Sequence, residues 1–266
     1  MSRIPLLPGR KRPLLFAHRG CSSLAPENTL ASFRKAREAG APGLELDIHL
    51  CMTGELVVAH DDTFLRTAPA GANGEGKGIE ELSLGEIQAI DVGSFFGPGF
   101  SGEHPPLLAE VLEEFCPDLY VDIELKSRRT KGDPLPAAAA ALLKSMGKKI
   151  EESVTVSSFN PLCLRAFKRA APPHIPTAAI YCVNPEVPPA LRRGAGRFIA
   201  GCDYAKPEYA QATAFARFRI AGLEGRPLVP WTVDDPALAE RLLALGCEGI
   251  ITNRPQDMGV LAAFRS

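Results

Sequence analysis

Short β-type runs alternate with amphipathic helical stretches along almost all of this 266-residue chain. That rhythm belongs to parallel strands joined by crossover helices. The candidate strands are PLLFAH (13–18), GLELDIHL (43–50), LYVDIELK (119–126), SVTVSSF (153–159), TAAIYC (177–182), RFIAGC (197–202), PLVPWTV (227–233) and EGIIT (248–252), eight in all. Between them, NTLASFRKAREAG sets Leu30, Phe33 and Ala36 at helical spacing and stops on Gly40, and PALAERLLALGC repeats the design with Leu238, Leu242 and Leu245 before Gly246. A parallel sheet must be covered by its helices, and eight such units close into a TIM (β/α)8 barrel. An open doubly wound sheet is the other solution, but no GxGxxG turn follows the first strand.

With apolar residues at 45%, the chain can fill one large core, so a single barrel domain over residues 1–266 is expected. Residues 61–106 break the rhythm. They are glycine-rich, carry helical pieces in IEELSLGEIQAI and end in FFGPGF. They read as an insertion after the second strand region, on the face where loops shape substrate access.

A formal net charge of −1 with scattered basic residues excludes the footprint of a nucleic-acid binder. No apolar run reaches the eighteen or so residues of a membrane span, and the first residues do not form a signal peptide, so a cytoplasmic chain is expected. The seven cysteines lack CxxC spacing and mostly sit among apolar residues, which suits reduced core thiols.

In such barrels the chemistry sits at the C-terminal ends of the strands. The first strand ends in His18 and Arg19, the second carries Glu45 and Asp47, the third Glu124 and Lys126, and the seventh ends near Trp231. Strand periodicity puts Glu45 and Asp47 on one face of an otherwise apolar run. Like charges that close repel, and a divalent cation is the simplest compensation, with Glu124 able to add a third oxygen. An all-carboxylate set without cysteine favours a hard ion, Mg²⁺ or Ca²⁺. The plainer alternative pairs each carboxylate with solvent or a nearby base. Arg19 and Lys126 beside a metal would make an electropositive cup for a phosphate ester, although a lone strand-end lysine can equally face solvent. His60 closes LVVAHD, a short strand after a turn at Thr53 and Gly54, and with His18 gives two imidazoles able to divide proton removal and donation. His49, His104 and His174 are read as structural, although His49 shares a face with Asp47.

These stretches together resemble the glycerophosphodiester phosphodiesterase family. The matches are AHRG with PENT (17–20 and 26–29), LELDIHL (44–50), LVVAHDDTFLRT (56–67), VDIELK (121–126), VSSFNP (156–161), WTVDD (231–235) and GIITNRP (249–255), spread over nearly the whole chain in order. The resemblance implies a TIM-barrel hydrolase that uses one divalent metal ion, Mg²⁺ or Ca²⁺, to convert small glycerophosphodiesters, such as glycerophosphocholine, to sn-glycerol 3-phosphate and an alcohol. By position, Glu45, Asp47 and Glu124 would be metal ligands and His18 and His60 the acid and base, while Arg19 and Lys126 would hold phosphate. The glycerol 2-hydroxyl would attack phosphorus and expel the alcohol through a cyclic phosphate, which water opens. Asn28 of PENT would orient the site, with Pro26 at a helix start, although structural capping reads this stretch equally well, and Trp231 would wall the glycerol, or be core. Two positions depart from the pattern: Thr53 replaces an Asp in a T-x-D-G-type turn, and Asn253 stands where the family has the Asp of ITD. Neither is expected to touch the metal or histidine positions. A lysophospholipase D type activity, with FFGPGF as an apolar lip, and a non-catalytic phosphoester-binding barrel are the alternatives. The metal, the head group and the oligomeric state stay open.

Overall fold

A computed structural model describes residues 6–72 and 74–260 of the chain. Its strands are β1 (Leu14–His18), β2 (Gly43–Leu50), β3 (Leu56–Val58), β4 (Tyr120–Leu125), β5 (Val154–Ser158), β6 (Thr177–Tyr181), β7 (Tyr204–Pro207) and β8 (Gly249–Thr252). Seven of them run parallel in the order β7-β6-β5-β4-β2-β1-β8, and β3 pairs antiparallel with β2 outside that path. The gap between β7 and β8 is filled by the segment PLVPWTV. The Ala205 amide donates to Pro227 O at 3.0 Å, while the amides of Glu248 and Ile251 reach Leu228 O and Pro230 O at 2.8 and 3.0 Å. This closes a TIM-like α/β barrel. Pro227 and Pro230 have no N–H, so the segment makes isolated bridges rather than a regular ladder.

Two expected strands are overturned, PLVPWTV, which makes only these bridges, and RFIAGC. RFIAGC is not a strand. Its first residues belong to a short helix, Gly196–Ala200, and the barrel strand follows at Tyr204–Pro207. Alternation misleads here because Phe198 and Ile199 face solvent, whereas Arg197 is buried and clamps Glu224 with two bonds of 2.8 and 2.6 Å. The true strand, YAKP, was masked by a lysine and a proline.

The helices named below are α1 (Leu30–Glu38), α2 (Leu84–Gln88) and α3 (Leu108–Phe115). α1 starts at Leu30 behind a Thr29 cap, whose side chain accepts from the Ser32 amide, so Pro26 lies in the preceding turn and not at the helix start. Its buried Phe33 meets Phe115 of α3 edge-on at 5.9 Å. Residues 61–106 hold α2, and Phe64, Ile79, Leu82, Ile87, Ile90 and Val92 gather there with Cys51, Val57 and Ala59 into a cluster separate from the main core.

The barrel interior is layered. Leu14, Phe16, Tyr120, Tyr204, Val229 and Ile251 form an apolar floor, under which Leu6 and Leu7 pack. Gly43 is required there, since a Cβ would fall 2.0 Å from the Tyr120 ring. Above the floor the inward residues turn polar. Register pairs His18 with Glu45, Glu45 with Asp122 and Asp122 with Thr155, and one step higher it pairs Asp47 with Glu124 and Glu124 with Ser157. The parallel ladder with period two thus stacks acidic residues from adjacent strands in one place.

Candidate active site

Glu45, Asp47 and Glu124 are all buried, and each can offer a carboxylate oxygen within 4.8 Å of the others. Two basic side chains meet them from above. Lys126 donates to Glu124 Oε1 at 3.0 Å and lies 3.5 Å from Asp47 Oδ1, while Arg19 Nε lies 3.4 Å from Asp47 Oδ2. A third rises from below: the buried Lys206 ammonium donates to Asp122 Oδ2 at 2.5 Å and Ser157 Oγ at 2.9 Å, with Glu45 Oε1 3.9 Å away. Four acidic side chains therefore face three basic ones. Burial, then the charge of Asp47, drives the Glu45 carboxyl well above the usual carboxylate range. Burial acts the same way on Asp47, but Lys126 and Arg19 outweigh it and hold Asp47 ionised. Four carboxyls against three bases, with Glu45, Asp47 and Glu124 close enough to share one ion, suit a hard divalent cation.

The loop after β1 brings in the rest. Arg19 and Asn28 both take left-handed backbone, with φ of 55° and 56°, and between them Gly20 has φ 83° with Ser32 so near that a Cβ would lie 2.4 Å from its Oγ. This turn aims the Arg19 amide at Glu45 Oε2 at 3.2 Å and Asn28 Nδ2 at Asp47 Oδ2 at 2.9 Å. Arg19 Nη1 donates to Glu27 at 2.8 Å, whereas its buried Nε has no hydrogen-bond partner, a spare donor beside the trio.

The histidines have different companions. His18 sits with Nε2 3.8 Å from Glu45 and Nδ1 2.7 Å from Asn253 Oδ1. Burial, then the Arg19 charge, lowers its pKa to about 4. His60, beyond β3, holds Asp61 Oδ1 at 2.6 Å through Nδ1. Asp61 in turn accepts from Arg66 at 2.7 Å, and Arg66 grips Glu27 with bonds of 2.8 and 2.7 Å. A chain of charges thus runs from His60 to Arg19. Trp231 is partly buried, donates to Lys206 O at 3.0 Å and meets Phe159 edge-on at 5.6 Å. His49 donates no side chain to the trio; its Nε2 lies 3.3 Å from the His60 carbonyl. His104 and His174 pair elsewhere, with Ile90 O and Glu151.

Residues 18–257 match the model of the glycerophosphoryl diester phosphodiesterase family. A glycerophosphodiester phosphodiesterase of Caldanaerobacter subterraneus is 38% identical over 252 residues, covering 93% of this chain and 96% of the relative. One from Bacillus subtilis is 30% identical over 92% of this chain and 84% of its own. Among solved structures, an Oleispira antarctica phosphodiesterase in complex with the product sn-glycerol 3-phosphate superposes with a TM-score of 0.80 at 26% identity, over 94% of this chain and 97% of its own.

The chain belongs to the glycerophosphoryl diester phosphodiesterase family. It is therefore an enzyme of the phosphoric diester hydrolase class. Among the described residues, no helix is long and apolar enough to cross a membrane.

Two features of this phosphodiesterase escaped sequence reasoning. Lys206 was missed with its strand; the only signal was a lysine between Ala205 and Pro207 in a run too short to show alternation. Asn253 was placed apart from the histidines, and that reading is overturned by its 2.7 Å contact with His18. The cause is barrel closure: β8 lies beside β1, with Ala17 opposite Thr252, so the next residues on each side, His18 and Asn253, meet. Thr53 does stand apart, with its hydroxyl capping the Leu84 amide at 3.1 Å.

Proposed function

We propose that this enzyme hydrolyses small glycerophosphodiesters, such as glycerophosphocholine or glycerophosphoethanolamine, to sn-glycerol 3-phosphate and an alcohol. Glu45, Asp47 and Glu124 would hold one Mg²⁺ or Ca²⁺. The observation that carries the reading is the buried carboxylate trio with Arg19 and Lys126 beside it, the Arg19 Nε without a hydrogen-bond partner. When bound, the ion supplies positive charge against the phosphoryl oxygens. Arg19 and Lys126 hold the same oxygens, Arg19 through its spare Nε and Lys126 as a point charge. Asn28 keeps Asp47 oriented by donating to it at 2.9 Å. Trp231 lines the glycerol side.

His18 is neutral at pH 7, as its pKa of about 4 requires, so its Nε2 accepts the proton of the glycerol 2-hydroxyl while that oxygen attacks phosphorus. His60 gives its proton to the departing alcohol oxygen, and the Asp61 carboxylate, 2.6 Å from Nδ1, holds the ring in orientation for this role. Water then opens the cyclic phosphate with the two roles exchanged. Residues 61–106 serve as an insertion that shapes access within one catalytic domain.

A second reading, hydrolysis of lysolipids, is favoured by Phe95 and Phe96 of FFGPGF, which stand 42% and 39% exposed beside Phe100. Competition decides between the two. Glycerophosphocholine turnover unaffected by lysophosphatidylcholine supports the first, and preferential cleavage of lysophosphatidylcholine overturns it. A protein that binds glycerophosphocholine but cleaves neither substrate with either ion would be the non-catalytic barrel.

A further inference from the structure

We infer that Asp234 and Asn253 act as a pair of positioning residues that set which nitrogen of His18 carries the proton; the catalytic consequence rests on the base role proposed above for His18. Asp234 Oδ1 accepts from the Asn253 amide at 2.8 Å and from Thr252 Oγ1 at 3.1 Å. Its Oδ2 lies 2.7 Å from Asn253 Nδ2. An ionised carboxylate only accepts, so the Asn253 side chain must turn its NH₂ towards Asp234 and its oxygen towards His18. That oxygen, 2.7 Å from His18 Nδ1, cannot donate, so Nδ1 must carry the hydrogen. The lone pair is then left on Nε2, the nitrogen that faces Glu45 at 3.8 Å and the centre of the site. Ser22 Oγ lies 2.9 Å from both the His18 carbonyl and Asn253 Oδ1, and its single hydrogen can serve either.

The relay is polar in one sense, and a single atom change reverses it. In Asp234→Asn the new side chain must keep its oxygen on the Asn253 amide and Thr252 hydroxyl, because both are donors. Its NH₂ therefore points at the Asn253 side chain, which can accept only by turning over. The overturned Asn253 offers NH₂ to His18 Nδ1, and the imidazole moves its hydrogen to Nε2, where no lone pair remains to take a proton. The double variant Asp234→Asn/Asn253→Asp restores the original sense, since a carboxylate at 253 accepts from the NH₂ at 234 and from His18 Nδ1–H.

The test is ¹⁵N NMR of histidine-labelled, metal-free protein at neutral pH, with the His18 signals identified by their loss in His18→Gln, and steady-state kinetics of the metal-loaded enzymes. The expected result is the Nδ1–H tautomer in the wild type, Nε2–H in Asp234→Asn and Nδ1–H again in the double variant. The kcat of Asp234→Asn falls on the order of 10³-fold or more with little change in KM, as when the Asp of a Ser-His-Asp triad is replaced by Asn, and the double variant recovers most of it. An Nδ1–H tautomer in folded Asp234→Asn overturns the inference whatever the activity. An inverted tautomer with unaltered kcat upholds the relay and removes His18 from its base role. If Asp234→Asn does not fold, Asn253→Ala and the double variant decide: Nδ1–H kept in the double and lost in Asn253→Ala supports the relay, and Nδ1–H kept in Asn253→Ala overturns it.

Discussion

Lys206 is where one substitution tests the charge balance beneath the active site. Its ammonium is held 2.5 Å from Asp122 and 2.9 Å from Ser157, inside the barrel with a side chain only 2% exposed. Lys206→Met keeps the length of the chain and deletes the charge. Asp122 is then left with the hydroxyls of Thr155 and Tyr204, at 3.0 and 3.2 Å, and no cation in contact. Removing one partner of a buried pair costs about 3–5 kcal/mol, because the other charge stays behind uncompensated. For a chain of this size each kcal/mol moves Tm by roughly 2–4 °C, so a fall of roughly 6–20 °C is expected. Lys206→Met/Asp122→Asn removes both charges and should recover most of the loss, since a well-packed neutral replacement is often as stable as the pair. The assay is urea unfolding followed by the fluorescence of the single Trp, in chelator so that ion binding adds nothing to the native state. A single variant within about 1 kcal/mol of the wild type, or a double variant no better than the single, would refute the reasoning that these two groups neutralise each other.

The remaining predictions concern metal, pH and the barrel wall. Saturating Mg²⁺ or Ca²⁺ should stabilise the wild type by about 2.7 kcal/mol at one hundred times Kd, and Glu124→Gln should lose most of that increment in a thermal melt. For His18, the folded pKa of about 4 lies below the ordinary 6.5, so the unfolded chain binds the extra proton between those values. Stability of the metal-free protein should therefore fall as pH drops from 6.5 to 4, with His18 contributing about 3 kcal/mol of the decline, and His18→Gln should flatten the urea-midpoint profile in that window. A profile unchanged by the substitution would contradict the burial of a neutral imidazole there. Arg197→Lys keeps the charge but not the two-bond clamp on Glu224, and should cost about 1.5–3 kcal/mol in urea unfolding with kcat intact.

Much of the barrel was legible because parallel strands announce themselves as apolar runs, and the carboxylates at 45, 47 and 124 stood out as charges inside such runs. Period two then placed them on one face, and the ladder register realised that placement. What stayed hidden depended on neighbours distant in sequence. RFIAGC has the composition of a strand, yet its buried Arg197 is held by a two-bond clamp on Glu224, 27 residues on. YAKP has the composition of a loop, and becomes a barrel strand only because Asp122, 84 residues earlier, neutralises its lysine. Asn253 reaches His18 across a separation of 235 residues, through a closure that no local pattern encodes. Pro26 suited a helix start by its fixed φ, but the Thr29 cap, with its side chain accepting from the Ser32 amide and donating to Pro26 O at 2.7 Å, sets the boundary four residues later.

The most direct measurement is the rate of sn-glycerol 3-phosphate release from glycerophosphocholine by one preparation as purified, after chelation, and after return of Mg²⁺ or Ca²⁺, beside Glu45→Gln treated in the same way. The account predicts that chelation abolishes release, that one of the two ions restores it in the wild type, and that neither restores it in Glu45→Gln. Full activity in chelator, or recovery of Glu45→Gln to the wild-type rate at the same ion concentration, would contradict it.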